Sequence, residues 1–200
     1  MTARFSALVA LAASVWVTGA AADTVLFDGK AHAPYQLMVG DAENWGIPVG
    51  DYETDTLKGY LNVKTDPDTG VRVAEWNGKG EAQLFLASPE PIDISAAVAA
   101  DAALMMVISV QKPPRKGAVL RMGCGYPCAA NADITQLLKA LPKDELLRVS
   151  VDLKCFVDGG LDATHVEAPF LIITDKKMTM SVADVRIVDG AGPSAFINCR

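Results

Sequence analysis

Cys124 and Cys128 enclose Gly-Tyr-Pro, the spacing in this chain that most invites a chemical reading. Three chemistries use cysteines so close together: thiol–disulfide exchange, zinc binding and structural crosslinking. Exchange catalysts set two residues between their cysteines and hold the first thiolate at a helix N-terminus, which lowers its pKa. Here three residues intervene, and the segment follows a strand-like run, Ala118–Met122. Zinc needs four converging ligands, and neither His32 nor His165 has a spacing relation to the cysteines. The crosslink reading stands. The four cysteines, Cys124, Cys128, Cys155 and Cys199, allow three connectivities. We expect 124–128 and 155–199. By chain entropy the first is worth about 2 kcal/mol, and the second, closing about 45 residues, about 4 kcal/mol.

Other residue sets bear on metal binding, catalysis and stacking. Asp51, Glu53 and Asp55 alternate in Gly-Asp-Tyr-Glu-Thr-Asp, and hard cations want several oxygens on a flexible loop. This is the candidate calcium cluster; a solvated acidic loop is the commoner use of such a run. No other cofactor is expected. Asp66-Pro-Asp-Thr-Gly70 starts like a calcium loop, but it contains a proline and has Asn77 where the twelfth-position glutamate belongs. It reads as a hairpin turn. Glycoside hydrolysis needs two carboxylates flanking the bond, and none of the 24 Asp and Glu residues stands in such a context. No catalytic set is expected, so the chain reads as a non-enzyme. Sugar recognition asks for an aromatic face with planar polar groups around it. The candidates are Trp45 in Glu-Asn-Trp-Gly-Ile-Pro, Trp76 at a strand end, Tyr126 inside the cysteine loop, and Arg121 as the hydrogen-bonding group. Tyr52, Tyr60 and Asn77 stand near them in sequence; Trp76 serves equally well as a core residue.

Compartment and charge narrow the setting. Arg4 precedes an apolar run, Phe5–Val17, and then Ala20-Ala21-Ala22, the pattern of a secretory signal peptide cleaved before Asp23. The run is shorter than the roughly 20 residues a membrane span requires, so no membrane insertion is expected after cleavage. Residues 1–22 are then the signal and 23–200 a single domain, periplasmic or secreted, where disulfides persist. The formal charge of −6 is spread along the chain, which argues against nucleic acid as a partner, because that needs clustered Lys and Arg. The longest basic stretch, Lys112-Pro-Pro-Arg-Lys116, reads as a solvated loop.

The elements that must position these residues read mostly as short strands. Runs at 58–64 and 71–76 flank the Asp66–Gly70 turn. Ala82–Leu86, Ala103–Val110, Ala118–Met122, Leu146–Leu153, Pro169–Thr174 and Met178–Val188 follow, the last with a break near Ala183. Ala103–Val110 is almost wholly apolar, as in a strand covered on both faces. Ser95–Ala100 and Asp133–Leu141 are the helical candidates. Strands at this spacing with one or two short helices predict an all-β antiparallel sandwich.

The order Trp76, Asp93-Ile-Ser95, Leu120–Cys128, Asp133-Ile-Thr135, Leu153-Lys-Cys-Phe156, Gly160-Leu-Asp162, Ala168–Thr174 and Ala183–Ile187 resembles the galactose-binding-like domain at the C-terminus of ExoP-type family-3 β-glucan glucohydrolases. The resemblance covers roughly residues 35–190. It implies a jelly roll of carbohydrate-binding-module type, accessory to a catalytic barrel and here free-standing. The expected partner is a β-glucan-type glycan; the alternative is a structural or interaction role with another envelope protein.

Overall fold

The computed structural model describes residues 23–189 and 196–197. Local chemistry sets its hairpins. Asp66 Oδ1 accepts the backbone N–H groups of Asp68 (2.9 Å) and Thr69 (3.2 Å), and Gly70 supplies the left-handed φ of +70° that closes the turn. This turn pairs β5 (Leu61–Thr65) with β6 (Arg72–Trp76). In β13 (Met178–Val188), the register against β8 (Ala103–Lys112) shifts between Val182 and Asp184, a bulge at the expected break.

Two sheets form. The larger runs β14 (Phe196–Ile197), β11 (Leu147–Asp152), β8, β13, β6, β5 and β4 (Glu53–Asp55), with β1 (Thr24–Phe27) also on β13. The smaller runs β10 (Ala129–Asp133), β9 (Val119–Gly123), β12 (Ala168–Thr174), β7 (Ala82–Ala87), β2 (Gln36–Asp41) and β3 (Asn44–Pro48). The pairings are antiparallel except β11 with β14. The expected all-β sandwich is thus the observed architecture. Among the described residues three short helices accompany it: α1 (Ser95–Ala99), α2 (Thr135–Ala140) and α3 (Leu153–Asp158).

The core lies between the sheets. Leu104, Met106, Ile108 and Val110 of β8 face Leu84 and Leu86 of β7 and Phe170 and Ile172 of β12 in one buried cluster. Trp76 is wholly buried there, and its indole N–H donates to the Ala82 carbonyl at 2.9 Å, tying the large sheet to the small one. Over the expected span, Ala103–Val110, β8 is buried on both faces apart from half-buried Val107. Asp133 Oδ1 accepts the Thr135 N–H (2.8 Å) at the start of α2.

Several elements differ from the sequence reading. The strand expected to reach Leu153 stops at Asp152, whose carboxylate accepts the Lys154 N–H (2.8 Å) and starts α3. The Glu53–Asp55 run, expected as a loop, is edge strand β4. Trp45, also expected in a loop, sits on edge strand β3. Cys155 on α3 is disulfide-bonded; Cys199 and residues 1–22, where the signal peptide is expected, lie outside the described residues.

Ile108 is fully buried and pairs with Leu147 on one side and Val182 on the other. Ile108→Asp should abolish cooperative unfolding, because an unpartnered buried charge costs several kcal/mol. A soluble variant with a sharp thermal transition would contradict this placement of β8.

Candidate functional site

Strands β7 and β12 are apolar on both faces. Leu84, Leu86, Phe170 and Ile172 point into the sandwich, so the alternation of a strand sends Phe85, Leu171 and Ile173 to the outer face of the small sheet. There they make a second apolar cluster, with Met38, Ala87 and Val119 against it. Cross-strand register lines up Asn131, Arg121, Leu171, Phe85 and Met38 in a single row across five strands. This row crosses the floor of a groove of about 790 Å³.

One end of the groove carries Trp45 and Glu81, the other the cysteine loop. Trp45 is 45 % exposed. Its backbone folds over β2 only because position 40 is glycine: a Cβ there would lie 2.3 Å from the Trp45 carbonyl oxygen. The Gln83 amide donates to that same oxygen at 3.0 Å. At the far end the Cys124–Cys128 disulfide is present. The Cys124 N–H donates to the Cys128 carbonyl (3.0 Å), and Gly125, at φ +84°, turns the chain beside the Glu167 carboxylate. The loop holds Tyr126 fully exposed. Arg121 donates through Nε to Asn131 Oδ1 at 2.7 Å, which fixes its guanidinium at the edge of the floor.

The turn that launches Trp45 is anchored by a buried carboxylate. Asp41, with no exposed surface, accepts the Glu43 N–H (3.0 Å), the Asn44 N–H (3.5 Å) and the Lys58 N–H (2.7 Å). Lys58 belongs to the β4–β5 turn of the other sheet, and its Nζ also pairs with Glu43 at 2.7 Å. Burial pushes the Asp41 carboxyl up, but the Lys58 N–H, the Thr56 hydroxyl and the neighbouring N–H groups outweigh it and hold it below the ordinary carboxylate range.

The structure therefore brings Trp45, Tyr126 and Arg121 to one groove. Trp76 is a correction: wholly buried, with its indole N–H engaged within the core, it offers no face to a ligand. The acidic cluster is another. Glu53 and Asp55 both accept from the Asn62 amide (2.8 and 3.0 Å), and Lys64 stands 3.4 Å from Glu53. Asp51 acts instead on Arg72, and among the described residues no three His, Cys, Asp or Glu side chains are placed to hold a metal ion. Tyr52 is exposed away from the groove lining, and Tyr60 packs against the core. Asn77 donates its amide to the Gly59 carbonyl (2.5 Å). The sequence reading misses the floor, Phe85, Leu171 and Ile173, and the polar Gln83 and Glu167. The signal is nevertheless there: Ala82–Leu86 and Pro169–Thr174 are too continuously apolar for strands with a wet face.

Known proteins share this fold. The Exop_C family model, described as galactose-binding domain-like, matches residues 33–187. The exo-1,3/1,4-β-glucanase ExoP of a Pseudoalteromonas species is similar at 16 % identity and a TM-score of 0.72, over 89 % of this chain and 22 % of that one. The extra C-terminal domain of the same enzyme, solved alone, matches at 16 % identity and TM-score 0.70, over 88 % of this chain and 99 % of that one. A family 30 carbohydrate-binding module from a cellulosomal cellulase of Clostridium thermocellum gives 13 % identity and TM-score 0.56, over 86 % and 99 % respectively. No curated protein matches the chain. No helix among the described residues is long and apolar enough to cross a membrane.

Asp41 yields a prediction with a definite sign. Its pKa is lower folded than unfolded, so its stabilisation is present above the ordinary carboxylate value of 3.8 and lost as pH falls through the lowered value. Asp41→Asn, which puts an amide among N–H donors, should cost about 1–3 kcal/mol and shift Trp45 fluorescence at neutral pH. The wild-type protein should show that shift only in acid. A variant with unchanged stability and emission would remove Asp41 from this role.

Proposed function

The chain belongs to the Exop_C family of galactose-binding domain-like proteins, and from that premise we propose that it is an exported, non-catalytic module whose groove binds a β-glucan chain. One observation carries the reading: a shielded apolar floor lies between two exposed aromatics, Trp45 and Tyr126, with Arg121, Asn131 and Gln83 at its edges. Sugar rings present apolar C–H faces and a rim of hydroxyls, so a flat apolar floor with planar polar groups beside it suits them. The β-glucan assignment draws on the ExoP glucanase, whose extra C-terminal domain has this fold. By the same analogy the module serves a glycoside hydrolase acting on such polymers.

Catalysis is not part of the proposal. The groove's carboxylates, Glu81 and Glu167, come from the β6–β7 turn at the Trp45 end and from the segment beside the cysteine loop. Glu81 is exposed and Glu167 half-exposed, whereas a glycosidic general acid sits in an apolar enclosure that keeps it protonated. The fully exposed Tyr126 on a crosslinked loop supports a second reading, a protein-docking anchor.

Calorimetry with soluble β-glucans on the mature, bridged protein separates the two. Binding should fall on the order of micromolar to millimolar, as expected for stacking with few oriented hydrogen bonds. Trp45→Ala and Tyr126→Ala should each weaken it by about 1–3 kcal/mol, with the melting temperature almost unchanged for Tyr126. A folded protein that binds no glycan would hand the groove to a protein partner.

Export makes its own prediction. Exported protein should begin at Asp23 and have the mass of a chain with both disulfides formed. A free thiol on peptide mapping, or a retained leader, would refute it.

A further inference from the structure

We propose that the turns at the Trp45 end of the sandwich form a basic surface for the negative charges of an acidic polysaccharide, so that the groove, besides neutral β-glucan, takes a chain whose sugars carry carboxylate or similar groups. This rests on the glycan reading of the groove and goes beyond it to the charge of the polymer.

Strand register brings these turns to one end. Met178 pairs with Trp76, Thr174 with Ala82, Ile173 with Val119 and Thr179 with Lys112. The β6–β7 turn therefore contributes Lys79, the end of β8 Lys112, the β8–β9 loop Arg115 and Lys116, and the β12–β13 turn Lys176 and Lys177. Six of the chain's 18 lysines and arginines gather here, although its formal charge is −6. Their backbone is tied down. Lys139 Nζ donates to the Arg115 carbonyl at 2.5 Å, and Gly78 (φ +77°) packs so closely on Lys177 that a Cβ would lie 2.7 Å from its backbone nitrogen.

The charges are poorly compensated. Asp175 pairs with Lys176 and acts also on Lys116. Glu75 acts on Lys112, and Glu81 stands at the groove rim. Among the described residues, Lys79, Lys112, Arg115 and Lys177 take part in no side-chain ion pair. Desolvation, and then the closeness of the Lys177 ammonium, depress the Lys112 pKa. An anion placed between two such cations relieves their repulsion.

The neighbourhood selects the partner. The groove floor ends at Ile173, three residues before Lys176, and its rim residue Glu81 stands two residues from Lys79. At the rise of a strand these separations are about 10 Å or less, within reach of one polymer. Among the described residues the basic turns themselves carry no exposed large apolar side chain, and the exposed aromatic at this end, Trp45, lines the groove.

The experiment titrates the mature protein with polygalacturonate, a neutral β-glucan, polyglutamate and phosphatidylglycerol vesicles, at about 10 and about 150 mM salt, where the screening length falls from about 30 to about 8 Å. Polygalacturonate should bind more tightly than polyglutamate or vesicles, and several-fold more weakly at the higher salt. Lys112→Gln combined with Lys177→Gln should lower its affinity by roughly 4–25-fold, taking 2–5-fold per cation. Binding of neutral β-glucan should not change in that variant. If neutral glucan binds and polygalacturonate does not, this inference fails and the groove reading survives. Equal binding of polyglutamate or vesicles, or indifference to salt and to both substitutions, overturns the acidic-glycan assignment. If polygalacturonate binding survives Trp45→Ala and no neutral glycan binds, the groove reading fails, and the single shared polymer fails with it.

Discussion

A two-layer sandwich can cover only one face of each sheet, and β7 and β12 are apolar on both. Leu84, Leu86, Phe170 and Ile172 take the covered side, which leaves Phe85, Leu171 and Ile173 on the outer one. Those three nevertheless keep only 9 %, 7 % and 5 % of their surface, too little for ordinary solvent-facing positions. Their shielding is local: Met38, Ala87 and Val119 crowd in from neighbouring strands. The cover is shallow and open above. An apolar floor that is incompletely roofed gains free energy from any ligand that completes the roof, at about 25 cal/mol per Å² removed from water.

The two ends of that floor are fixed by different physics. At the cysteine end a covalent bond and a short hydrogen-bonded turn restrict the loop bearing Tyr126. At the other end Trp45 is placed by packing and electrostatics: a missing Cβ at Gly40, an amide bond from Gln83, and the buried Asp41 carboxylate gathering N–H groups from both sheets. Both devices reduce the side-chain and loop freedom that binding would otherwise have to remove, so weak stacking contacts can show as net affinity.

The sequence carries the architecture further than the site. The Asp66–Gly70 hairpin, the two-sided strand β8 and the bulge near Ala183 are legible because turn chemistry and hydrophobic period are local. Edge strands β3 and β4 are not. Asn44–Pro48 and Glu53–Asp55 are short and largely solvated, and only pairing with Met38–Asp41 and Asn62–Lys64 makes them strands. Trp76 looks as much like a platform as a core residue, because its type does not record which way its strand faces. Asp41 has no sequence signature at all. Its partners are backbone N–H groups, one of them 17 residues away in sequence, and the Thr56 hydroxyl, and no residue pattern announces such an acceptor.

Specificity in such a groove must come from its edges, because the floor accepts any flat apolar face. A sugar hydroxyl that loses water without gaining a partner costs about 1–3 kcal/mol, comparable to what one stacked ring contributes. The edge groups are already partly committed. Gln83 commits one N–H of its amide to the Trp45 carbonyl and keeps its oxygen to accept and its second N–H to donate. Arg121 commits Nε to Asn131 and keeps its two terminal nitrogens to donate. An amide that both accepts and donates on one side of the apolar row, and a donor-only guanidinium on the other, make a directional rim. A ring whose hydroxyls match that order keeps its hydrogen bonds when it stacks, and its mirror placement loses them. The same internal bonds that position Trp45 and hold Arg121 upright therefore set the orientation in which a chain can lie along the floor.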